Sequence, residues 1–148
     1  MRAYDVAVGA DWVDYNQHMT EWAYGVAFAD ASDQVLVDLG FDAHYRATRG
    51  GTFYTVETHT RFLHEVVRGT TLSVAPTVLA ADAKRLHLWH EMSAGEQVVA
   101  TQESVLVHVD IATKRVVPLR DDVLEVTRRQ VSAPADGVTR HLVRPLRA

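Results

Sequence analysis

The chain has 148 residues, 47% hydrophobic and 23% charged, the make-up of one ordinary globular domain with enough apolar content for a real core. A formal net charge of −4 offers no broad attraction to nucleic acid or to an anionic membrane, and the lack of cysteine excludes disulfides, thiolate metal sites and a cysteine nucleophile. No apolar run could span a bilayer and the opening MRAYDVAVGADW lacks the apolar core of a secretion signal, so the expected location is the cytoplasm.

Residues 2–8 read as a short first strand. Residues 21–39 carry Trp22, Val26, Phe28, Ala29, Val35, Leu36 and Leu39 at helical spacing, and Ala23, Gly25, Ala27 and Ala31 widen that surface. A helix apolar on most of its faces is normally buried, so this one is expected to be central. Gly40 is placed to end it in a left-handed turn.

Beyond the helix the period changes to two. In YTVETHTRFLHEV, Tyr54, Val56, Phe62 and Val66 alternate with Glu57, His59, Arg61 and Glu65. TLSVAPTVLA, KRLHLWHEM and QVVATQESVLVHVD repeat the pattern, with Leu72, Val74, Leu86, Leu88, Met92, Val99, Val105 and Val109 on the dry side. Such alternation predicts an antiparallel sheet with one dry and one wetter face. Pro76 marks an edge, bulge or bend. Residues 81–83 and 95–96 are expected hairpin tips, and 121–129 a short helix.

A sheet with one dry face needs something to bury it, and the long helix is the element available. The expected class is therefore α+β, an antiparallel five-stranded sheet wrapped around a long central helix, with residues 1–133 as one domain and 134–148 as a C-terminal tail.

The chemistry gathers in DWVDYNQHMTEWAY, where Asp14, Asn16 and His18 stand just before the helix. A carboxylate there can attack an acyl carbon or take a proton from water. The unpaired amides of the first helical turn can stabilise an oxyanion. Asn16 and His18 can orient water or donate hydrogen bonds. The ordinary alternative is that Asp14, Asn16 or Thr20 caps the helix, and on local sequence alone capping is the commoner role.

DYNQHM followed by Tyr24 resembles the signature of the 4-hydroxybenzoyl-CoA-thioesterase-like branch of hotdog-fold acyl-CoA thioesterases. Gln17 stands where that family commonly has glycine and Thr20 where it has asparagine, while NQH is similar to the corresponding run of plant acyl carrier protein thioesterases. VETHTRFLHEVVRGTTLSV resembles the family's second strand, turn and third strand, with Thr70 where an acid is frequent. DAKRLHLWHEM and VATQESVLVHVD resemble a narrower subgroup that includes betainyl-CoA thioesterases of carnitine breakdown. The resemblance covers residues 4–119. It implies a hotdog fold, a homodimer or dimer of dimers, and hydrolysis of a small acyl-CoA with Asp14 as the catalytic carboxylate.

Around that loop, Trp12, Tyr15, Trp22 and Tyr24, with Trp89 from the sheet, are candidate substrate contacts, since aromatic faces beside carboxylates can hold a quaternary ammonium. Aromatics at such spacing are more often core. Glu57 is a candidate second acid in the pocket, weighed against an ordinary solvated position. Arg61, Arg68, Lys84 and Arg85 are candidates for the phosphates of coenzyme A, although simple surface solvation explains any one of them. No metal site is expected, because the pairs His59 with His64 and His87 with His90 have odd separations and point to opposite faces. No cofactor is expected. A hotdog hydratase, whose Asp–His pair usually follows the start of the helix, and a non-catalytic acyl-CoA-binding module remain the alternatives.

Overall fold

A computed structural model describes residues 1–132; the expected boundary at 133 and the tail at 134–148 lie outside the described residues. The elements run β1 (Tyr4–Ala7), a single 3-10 turn, α1 (Glu21–Asp38), α2 (Ala43–Arg49), β2 (Gly51–Phe62), β3 (Thr71–Ala81), β4 (Arg85–Ala94), β5 (Gln97–Asp110) and α3 (Asp121–Arg129). The strands form one curled antiparallel five-stranded sheet in the order β1-β3-β4-β5-β2, so the α+β class and strand count agree with expectation. β1 registers on β3 through Tyr4↔Val74 and Ala7↔Thr71.

Local chemistry sets the element ends. Gly40 sits at φ 88, and the Gly40 and Phe41 amides donate to the carbonyls of Val37 and Leu36 at 2.9 and 2.8 Å. This is the Schellman closure that a left-handed glycine permits. Pro76 falls just past the last β1 partner of β3, Val74, where its missing N–H breaks no ladder bond to β1.

The residues cluster into two compact units. The first comprises residues 1–35, 60–76 and 90–102; the second comprises, of the described residues, 36–59, 77–89 and 103–132. In the first, Ala23, Tyr24, Ala27, Phe28 and Ala31 of α1 pack with Leu72, Val74, Met92, Val99 and Ala100 of the sheet. In the second, Phe41 meets Tyr45 and Phe53 edge to face, and the Tyr45 hydroxyl lies 3.0 Å from His108 Nε2.

Three expectations change. The helix is not apolar-buried all round: Trp22 is 55% exposed and Val26 also faces solvent, because the chain covers only the Ala23–Ala27–Ala31 side. β2 does not bury its apolar row either, since it is an edge strand and Tyr54, Val56 and Phe62 are all exposed. The wet face expected for β4 is missing over its middle: His87, on the side expected to be wetter, is buried, as is Trp89 at the same parity. Thr101 and Glu103 of β5 are buried polar residues at the dry-side parity of Val99 and Val105. His87 and Glu103 pair there, with His87 Nε2 and Glu103 Oε1 2.6 Å apart.

Candidate active site

The stretch before α1 folds into a tight hairpin. Val13 and Met19 bridge antiparallel, and the Asp14 amide donates to the His18 carbonyl at 3.0 Å. Gln17 closes the turn at φ 63, the left-handed region that glycine enters most cheaply, which accounts for the family's preference at this position. The hairpin is tied to the β2–β3 connection: His18 bridges Val67, and the Met19 amide donates to the Val66 carbonyl at 2.7 Å.

The half-buried Asp14 turns its carboxylate onto its own turn. Oδ1 accepts the Asn16 amide at 2.8 Å and Oδ2 accepts Asn16 Nδ2 at 3.4 Å. The Thr20 hydroxyl donates to the Trp12 carbonyl at 3.1 Å. The side chains expected as helix caps are thus engaged inside the loop, and the start of α1 is left to backbone contacts such as the Ala23 amide to the Thr20 carbonyl, 3.0 Å.

Below the hairpin the first unit holds a cleft of about 410 Å³, lined by His18, Met19, Glu21, Tyr24, Phe62, Leu63, His64, Glu65 and Val66. His18 Nε2 faces Glu65 Oε2 at 3.3 Å. Tyr24 and Phe62 meet edge to face with ring centroids 5.0 Å apart. Burial, and then the negative charge of Glu65, raise the Tyr24 phenol above its usual pKa, so the hydroxyl stays protonated and donates to the His64 carbonyl at 3.5 Å. The cleft therefore offers the His18 imidazole and the first residue of α1, Glu21, to a small molecule, while the Asp14 carboxylate is held on its own turn in the adjoining hairpin.

The hairpin holds Asp14, Asn16 and His18 together. Of these His18 lines the cleft, as does Tyr24. Of the aromatics expected as a cage, Trp12, Tyr15 and Trp22 are not among the residues that line the cleft. Trp12 packs against the core of the first unit, Tyr15 is 90% exposed, and Trp22 stands on the uncovered side of α1. Trp89, expected to approach from the sheet, is buried in the second unit because its stretch of β4 has no wet face. Glu57 is exposed on β2 in the second unit and is not a cleft residue.

Among the cations, Arg61 and Arg68 are exposed in the first unit and Lys84 in the second. Arg85 pairs with Asp82, its Nε donating to Asp82 Oδ2 at 2.7 Å. Burial of Asp82 opposes ionisation, but hydrogen bonds from Arg85 and the Lys84 amide outweigh it and hold the carboxyl below its usual range. Met19, Glu21, Phe62, Leu63, His64, Glu65 and Val66 are the cleft residues that sequence reading did not assign to the site. The signal was present in RFLHEV, whose period-two pattern breaks at the end of β2.

Comparisons with known proteins point one way. The profile of the thioesterase-like superfamily matches residues 8–127. An L-carnitine dehydrogenase/betainyl-CoA thioesterase of Ruegeria pomeroyi is 44% identical over 74% of this chain, and the chain spans only 22% of that protein's length. A betainyl-CoA thioesterase of Pseudomonas aeruginosa is 34% identical, covering 84% of this chain and 79% of its own. A solved candidate thioesterase of Pseudomonas putida KT2440 superposes with a TM-score of 0.77 at 32% identity, over 94% of each chain.

Proposed function

Because the chain belongs to the thioesterase-like superfamily, we propose that it hydrolyses a small acyl-CoA thioester to a free acid and coenzyme A. The observation that carries this reading is the hairpin at residues 13–19. Its bonds to the β2–β3 connection hold an acid, an amide and an imidazole directly before α1, with His18 on the cleft.

In the proposed reaction the thioester carbonyl lies against the first-turn amides of α1, where the positive end of the helix dipole stabilises the oxyanion. The Asp14 carboxylate, with its rotamer fixed by Asn16, either takes a proton from water as the oxygen attacks the carbonyl carbon, or attacks that carbon itself. His18 and Asn16 orient the water. The tetrahedral intermediate collapses by expelling the coenzyme A thiolate, which takes up the proton held by Asp14 in the general-base route. In the direct-attack route the collapse leaves an Asp14–acyl anhydride, which water hydrolyses to the free acid and the regenerated carboxylate. The scheme uses no metal and no redox cofactor.

Betainyl-CoA is the substrate proposed, supported by relatives of that name at 34–44% identity. Arg61, Arg68 and Lys84 are proposed to meet the coenzyme A phosphates. The working form is proposed to be a cytoplasmic homodimer or dimer of dimers, with residues 1–133 as the catalytic domain. The exposed apolar row of β2 supports the assembly, since an uncovered edge strand invites a partner. Among the described residues no helix is long and apolar enough to cross a membrane.

Free-thiol release from a panel of acyl-CoAs tests the reading. Hydrolysis with betainyl-CoA among the best substrates is expected. Water added to an enoyl-CoA without thiol release would indicate a hydratase. Coenzyme A binding without turnover of any acyl-CoA would indicate a binding module.

A further inference from the structure

We infer that the cleft beside α1 is the subsite for a cationic acyl head group, with Glu65 and Glu21 supplying negative charge and Tyr24 and Phe62 the aromatic contact. The inference rests on the thioesterase reading above and adds which residues choose the acyl group. It also moves the cation site away from Trp12, Tyr15, Trp22 and Trp89.

Charge comes first. Two carboxylates line the cleft, and no lysine or arginine is among the lining residues. A carboxylate-bearing acyl group would be repelled there, and a neutral one would gain nothing from the two acids. The aromatic pair narrows the choice further. Tyr24 is buried and braces Phe62 edge to face, while Phe62 itself remains 50% exposed and open to a ligand. A quaternary ammonium donates no hydrogen bond, so it is recognised by ring faces and nearby negative charge, the two things this cleft combines. A primary ammonium would call for hydrogen-bond acceptors arranged around its protons; a trimethylammonium needs only charge and shape.

The position fits the chemistry. His18 is both a cleft residue and a member of the hairpin that carries Asp14, and Glu65 lies 3.3 Å from its Nε2. In a betainyl group one methylene separates the ammonium from the thioester carbonyl. The head group must therefore bind next to the reacting carbon, and the cleft adjoins the proposed catalytic loop.

The test compares betainyl-CoA with its neutral isostere, 3,3-dimethylbutanoyl-CoA, in which carbon replaces the quaternary nitrogen. The readout is the ratio of the two kcat/KM values in the full-length protein. Wild type should favour the cation, Glu65→Gln, at an exposed and solvent-screened carboxylate, should cut the ratio by a factor of about two to five, and Phe62→Leu by about two to five. A ratio unchanged in both variants, even if both substrates slow in parallel, would overturn the subsite and leave Glu65 acting only through His18. Should Glu65→Gln fail to fold, the half-exposed Phe62→Leu carries the same readout. A wild-type ratio near one would overturn the inference together with the betainyl assignment. Thiol release from neither substrate, nor from any other acyl-CoA, would instead remove the thioesterase reading beneath it.

Discussion

His87 Nε2 and Glu103 Oε1 lie 2.6 Å apart across β4 and β5, with side-chain exposures of only 4% and 1%. Removing one member of such a pair strands the other in the interior, whereas replacing both by apolar groups restores packing without an orphan. Glu103→Leu is therefore expected to destabilise the fold by about 3–5 kcal/mol. Adding His87→Leu should recover most of that loss. Denaturant midpoints of the three proteins check this; a double variant no more stable than the single one would contradict it.

His90 supplies a pH dependence. Ser32 Oγ donates to the Phe28 carbonyl at 2.9 Å, so at 3.3 Å from His90 Nε2 it acts as acceptor, and the ring carries its proton on that nitrogen. Burial pushes the His90 pKa down from 6.5 to about 4. The unfolded chain takes up this proton near pH 6.5 and the folded chain only near 4, so stability falls as pH drops through that window. The loss is on the order of 3 kcal/mol. His90→Gln, which cannot ionise, should show a shallower decline between pH 6.5 and 4 by chemical denaturation. Equal slopes would contradict the assignment.

The exposed row on β2 predicts assembly. Tyr54 and Val56 are 45% and 58% exposed on an edge strand, an uneconomical surface for an isolated chain. Light scattering is expected to give a dimer or a multiple of it. Val56→Glu, which puts a charge into that row, should shift the distribution toward monomer while leaving the fold intact by circular dichroism. An unchanged mass in the variant would move the interface elsewhere.

These features show which parts of the molecule the sequence made legible. Gly40 was readable because a glycine after an apolar helical run has one common use, and it closes α1 at φ 88. The strands were readable because side-chain period survives in sequence. Burial of a whole face was not: Trp22 and Val26 look like core residues until one sees that the chain covers only one side of α1. The reverse holds for His87, a polar residue on the presumed wet face that is buried against Glu103, since pairing across strands decides burial and sequence alone gives no register. At the site, the loop was legible from Asp14, Asn16 and His18, since they are neighbours in the chain. Glu65 and Phe62 reach the cleft through the β2–β3 connection, a contact some forty residues distant that only folding creates.

The proposed role of Asp14 is tested most directly by Asp14→Asn, with betainyl-CoA turnover and thermal midpoint measured side by side. Asparagine keeps the size and can still accept the Asn16 amide at the turn, so stability should change by less than about 1 kcal/mol, the usual cost of losing such a local bond. It removes the charge that attacks the carbonyl or takes the proton from water. Turnover is predicted to fall on the order of a hundred- to ten-thousand-fold with coenzyme A binding retained. A folded Asp14→Asn protein that hydrolyses betainyl-CoA near the wild-type rate would contradict the account.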